Sequence, residues 1–113
     1  MIVTELKPNI SKKLEFHLNK VKFLPEKMGC YVITNFNEDI MYIGQTINLK
    51  SRMQQHLDNV EKTKLTQIGK AYYFYFKTVD QEKDLNKLER GWLNHFELKE
   101  GHIPILNSVR GPI

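Results

Sequence analysis

Cysteine is nearly missing from this chain: Cys30 is the one copy in 113 residues. An internal disulfide framework is therefore excluded, and a reducing, cytoplasmic setting is the expectation. Long hydrophobic runs are missing too. None approaches the ~20 residues that a membrane-spanning helix needs, so no membrane partner is expected. The opening stretch, MIVTELKPNI, has none of the basic-then-apolar pattern of a secretory signal. Gly, Ser and Pro never gather into a linker, and no repeat or low-complexity segment appears. Neither zinc-finger spacing nor a helix-turn-helix signature is present. What remains is one globular unit, with enough chain for a single modest core and too little for two.

The bulk composition is that of an ordinary folded domain. Hydrophobic residues make up 41% and charged residues 27%, which argues against disorder. A net charge of +4 permits a polyanionic partner without requiring one. The four prolines, Pro8, Pro25, Pro104 and Pro112, fall where elements should begin or end. Ile10, Leu14, Leu18 and Val21 recur at helical spacing, which predicts an amphipathic helix over about residues 10–22. CYVIT and IMYIG read as two strands joined by a polar hairpin turn, NFNED. Asn48 is placed to cap a helix from about Leu49 to Val60. AYYFYFKTV carries the strongest strand pattern, and a long helix from about Gln81 to Lys99 should end at Gly101. The expected architecture is α+β: a small central antiparallel sheet of about three strands flanked by helices. Residues 1–23 would form an N-terminal helical extension and residues 24–113 the main domain.

Two helices carry polar residues on faces that should be buried. At 100° per residue, Leu49, Met53, Leu57 and Val60 form the apolar stripe of the middle helix. His56 projects within that stripe, and Arg52 lies one turn earlier at its edge, so the two are neighbours. Burying an arginine without a partner is costly. The plain explanation has Arg52 reaching back to solvent and His56 as a satisfied core histidine; a functional site is the other. The last helix repeats the pattern with the opposite sign. Glu89 falls in the arc of Leu85, Leu88, Trp92, Leu93 and Phe96, whereas Lys87, Arg90 and Asn94 point away. A carboxylate in such company needs a cation. Either Arg52 supplies it in a structural salt bridge, or a metal does and Arg52 is left for a bound anion. Tyr31 and Tyr42 alternate with apolar neighbours on the hairpin, and taken singly each reads as core packing.

The stretches GCY (Gly29–Tyr31) and YIG (Tyr42–Gly44) resemble the two halves of the signature that names the GIY-YIG nuclease family. Cys30 stands where Ile is usual, and free cysteine fills that place as a small hydrophobe. LPEKMGCYVI resembles the lead-in to the signature. YIGQTINLKSRMQQH resembles the family's strand–turn–helix segment with its Arg and His. LERGWLNHF resembles the helix bearing the metal-binding Glu, and IPILN the closing segment with its Asn. The likeness covers about residues 24–107, with each key position filled in order.

This resemblance implies a metal-dependent endonuclease that hydrolyses DNA phosphodiesters, with Mg2+ or Mn2+ held by Glu89. The implied site is Tyr31, Tyr42, Arg52, His56, Glu89 and Asn107. In that set Tyr31 acts as general base and Tyr42 positions phosphate or water. Arg52 stabilises the transition state, His56 supplies charge or relays a proton, and Asn107 orients backbone or substrate. Lys50 is placed to touch phosphate, and Lys20, Lys22, Lys62, Lys64 and Lys70 are candidates for a basic rim. Each of these also reads as an ordinary solubilising lysine. The competing readings are a catalytically silent nucleic-acid-binding module of the same fold and a basic interaction domain with no nucleic-acid role. One such site cuts one strand, so a homodimer or a separate targeting partner is the accessory to look for.

Overall fold

CYVIT and IMYIG pair as a hairpin: β2 (Gly29–Thr34) lies antiparallel to β3 (Ile40–Thr46) in the computed structural model, which describes residues 1–107. Pro112 and the last residues of the 24–113 segment lie outside the described residues. AYYFYFKTV supplies β4 (Tyr73–Thr78), which takes the other side of β2. Two expectations need correction. The sheet has four strands rather than three, in the order β1-β4-β2-β3. The added strand, β1 (Lys12–Glu15), comes from the segment expected to be a helix over 10–22.

The reason lies in β4. One edge of β4 pairs with β2, and its other edge would expose a row of backbone donors and acceptors. Pairing Lys12–Glu15 along that edge satisfies them, with Leu14 opposite Phe74. The period-two pair Leu14 and Phe16 then points inward, Leu14 half-buried and Phe16 buried, while Leu18 of the supposed helical stripe is 57% exposed. After β1 the chain makes only a 3-10 turn, Leu18–Phe23.

The remaining helices follow their local signals. The Asn48 side chain accepts from the Ser51 amide at 3.1 Å and starts α1 (Leu49–Leu57). The helix stops short of Val60 because Asn59 caps a second, four-residue helix, α2 (Val60–Thr63), by accepting from the Glu61 amide. Helix α3 (Glu82–Glu100) ends at Gly101, whose φ of 81° lies in the left-handed region that closes helices. None of the helices among the described residues is long and apolar enough to cross a membrane.

Both faces of the sheet are covered. On one, Leu85, Trp92 and Phe96 of α3 pack with Cys30, Val32, Ile43 and Tyr75. On the other, Leu49 and Met53 of α1 pack with Tyr31, Ile33, Met41, Tyr42 and Phe74. A bulge sets the second face: Ile33 pairs with Tyr42 and Thr34 with Ile40, so Met41 is an extra residue. Alternation breaks there, and Met41 and Tyr42 both join the α1 side.

Candidate active site

Tyr31 in β2 sits directly opposite Gly44 in β3. A Cβ on residue 44 would lie 2.7 Å from the Tyr31 phenol oxygen and equally close to the Tyr42 ring, so only glycine leaves room for both tyrosines. Packed into that space, Tyr31 has ring centroids of Phe74 at 5.0 Å and Tyr42 at 5.8 Å, both stacked. It has no exposed surface.

His56 arrives from α1. Its Nε2 is 2.6 Å from the Tyr31 hydroxyl, and its ring packs at 5.0 Å against Tyr42. Burial drives the His56 pKa down to about 3, helped by the positive charges of Lys62 and Arg52. The imidazole is therefore neutral at physiological pH, and its Nε2 can accept the proton of the Tyr31 hydroxyl. Burial pushes the Tyr31 pKa well above the ordinary phenol value, and Tyr42 adds to this while Arg52 opposes it. For Tyr42 burial again raises the pKa; the Tyr31 hydrogen bond and Arg52 lower it, and the Glu89 charge raises it. Arg52 is half-buried, as its place at the edge of the stripe implies.

Glu89 approaches from α3. Half-buried, it accepts from the Gln45 side chain at 3.0 Å, and Gln45 also donates to Asn86. Burial raises the Glu89 pKa, with Gln45 and Arg90 opposing. Among the described residues Glu89 has no ion-pair partner, so the structural salt bridge to Arg52 is not formed. A partly desolvated carboxylate, braced on one oxygen by an amide, suits a small divalent cation. The described residues hold no cluster of three or more His, Cys, Asp or Glu side chains, so such a cation would keep most of its water. Mg2+ commonly binds in that way, through one or two carboxylates.

Asn107 lies beside the hairpin, where its side chain clasps the backbone of Ile43. It accepts from the Ile43 amide at 3.0 Å and donates to the Ile43 carbonyl at 2.9 Å. The neighbouring Leu106 amide donates to Met41 at 2.8 Å. Tyr42 is thus held between two anchored residues.

A family model described as the GIY-YIG catalytic domain matches residues 27–101, more than half the chain. The chain belongs to the GIY-YIG family. UvrABC system protein C of Mesoplasma florum is 34% identical over 83 residues, 72% of this chain but 14% of that protein. Its counterpart in Lactobacillus delbrueckii subsp. bulgaricus is 33% identical over 72 residues, 63% of this chain and 12% of the relative. This GIY-YIG chain therefore spans a small part of the length of those relatives. The solved GIY-YIG N-terminal endonuclease domain of UvrC from Thermotoga maritima is similar in fold. One point mutant, bound to its catalytic divalent cation, gives a TM-score of 0.59 at 25% identity over 81% of this chain and 93% of that one. A second mutant gives the same TM-score at 24% identity.

In this GIY-YIG chain the tyrosines, Arg52 and His56 gather at one face of the hairpin, and Glu89 reaches them electrostatically through Tyr42. The lysines are scattered. Lys50 is half-buried, Lys22 and Lys70 are exposed, Lys20 pairs with Glu15 at 3.8 Å, and Lys64 pairs with Glu61 at 2.7 Å. Lys62 is no rim residue: it has no exposed surface. Sequence reasoning passed over Gln45 and assigned Lys62 to the rim. Period-two alternation from Ile43 places Gln45 toward α3, a signal that was there to find. The burial of Lys62 has no such signal, because it depends on where α1 stops.

Proposed function

We propose that this protein is a divalent-cation-dependent endonuclease that hydrolyses DNA phosphodiesters. The observation that carries the proposal is the 2.6 Å contact of a buried tyrosine hydroxyl with a neutral histidine, beside an arginine. Hydrolysis needs a base for water, positive charge on the phosphate and help for the departing oxygen. Arg52, with its forked guanidinium, suits the non-bridging oxygens. Tyr42 orients the phosphate or the attacking water. The base is Tyr31: as it takes a proton from water, its own hydroxyl proton passes to Nε2 of His56. Phosphate binding favours this step, because the anion offsets the Arg52 charge, which adds to burial and Lys62 in keeping the imidazole neutral. A cation held by Glu89 supplies Lewis-acid stabilisation of the leaving oxygen. Lys50, together with Lys20, Lys22, Lys64 and Lys70, would add salt-sensitive attraction to the DNA backbone.

A targeting partner or a second copy would add selectivity to this domain. The test is nicking of supercoiled plasmid with Mg2+ or Mn2+. Wild type should cut, and Glu89→Gln should lose about 100-fold or more while still binding DNA. Salt-sensitive binding with no cutting by wild type would favour the silent module instead.

A further inference from the structure

Among the described residues Lys62 is the one lysine with no exposed surface. The Asn59 cap turns it inward: the Lys62 amide donates to the Asn59 carbonyl at 2.9 Å. Its ammonium then makes two contacts that bear on the site. Nζ donates to the Leu106 carbonyl at 3.0 Å and lies 4.9 Å from the centroid of the Tyr42 ring. Leu106 and Asn107 in turn bind Met41 and Ile43, the residues on either side of Tyr42. Lys62 therefore holds both the tyrosine ring and the clip that fixes its backbone.

A packing role alone does not account for a charge in this place. Taking an ammonium out of water costs several kcal/mol, which the contacts it makes must offset. We propose that Lys62 is a positioning residue for phosphodiester hydrolysis: its buried ammonium fixes the Tyr42 ring and, through the Leu106 carbonyl, the clip that holds the backbone on either side of it, without touching substrate. This rests on the nuclease reading above. His56 faces Tyr31 from β2, Tyr42 from β3, Arg52 from its own helix and Lys62 from α2. Burial is the main reason the imidazole stays neutral and the two cations add to it, so the His56 titration reports whether Lys62 carries its charge beside the ring.

Two neutral variants test this. Lys62→Met keeps the volume, and Lys62→Gln keeps a donor for the Leu106 carbonyl. Both should fold, Lys62→Met with some loss of stability because the Leu106 carbonyl loses a donor. Both should nick plasmid with kcat reduced about tenfold or more and with KM little changed. In both, the His56 imidazole, followed by NMR, should titrate about one unit or more higher than in wild type. Wild-type kcat in a folded variant, or an unmoved His56 titration, overturns the proposal. Loss of the fold in both variants marks a structural tether and overturns it as well. If wild type itself cuts no DNA, the nuclease reading falls and this proposal with it.

Discussion

Single residues set the geometry of the site, where a few tenths of an ångström decide what fits. Gly44 illustrates this. Its missing Cβ leaves the space that the Tyr31 and Tyr42 rings enter from the α1 side. The Tyr31 ring cannot give way easily, because Phe74 and Tyr42 stack on it and His56 holds its hydroxyl. Gly44→Ala should therefore destabilise the fold by about 1–3 kcal/mol in urea denaturation. It should also abolish plasmid nicking at temperatures where the variant is still folded. An alanine variant with wild-type cutting would mean that the Tyr31 position does not matter. Glu89 is the complementary case. Its half-burial beside Gln45 was legible as an acidic residue in an apolar arc, whereas its brace, Gln45, was not singled out.

At the level of elements, the informative event is the conversion of an expected helix into an edge strand. Ile10, Leu14, Leu18 and Val21 satisfy helical spacing, but so short a segment has little helical stability by itself. The open edge of β4 offers backbone pairing instead, and pairing decides. Phe16, just past β1, then stacks on Phe74 at 6.4 Å, and Phe74 stacks on Tyr31. The N-terminal segment thereby supports the site from behind. Phe16→Ala should cost about 3 kcal/mol, and Leu18→Ala should change stability by less than about 0.5 kcal/mol. A helical segment would predict a substantial loss at Leu18, so chemical denaturation of the two variants separates the alternatives. The break between α1 and α2 belongs to this scale too. The apolar stripe predicts continuation to Val60, but the Asn59 cap ends it and leaves Val60 70% exposed.

For the whole molecule, the buried imidazole links the site to stability. His56 has a pKa of about 3 in the fold, against an ordinary value of 6.5. Between those values the unfolded chain binds a proton that the folded chain refuses. The contribution is therefore complete above pH 6.5 and is lost as pH falls toward 3. Denaturation at a series of pH values should show wild type losing stability across that window, by an amount on the order of a few kcal/mol from this group. In His56→Gln the slope over the same window should be shallower. Equal slopes would mean that the imidazole is not held neutral by its surroundings. Protonation of Glu89, whose pKa burial raises, should remove cutting at a higher pH than an exposed carboxylate would.

The amino-acid sequence determined the hairpin, the long helix with its glycine stop, and the inward-facing Arg52, His56 and Glu89. Those features follow from local periodicity and capping, which act over a few residues. Only the tertiary structure decided that residues 12–15 form a strand, that Met41 bulges to aim Tyr42, and that Lys62 lies buried over its ring. Each of these depends on partners far away in the chain: a free sheet edge, a cross-strand register, and a carbonyl at Leu106. Backbone and charge left without partners out of water cost more than local preference supplies, so distant pairing had the final word.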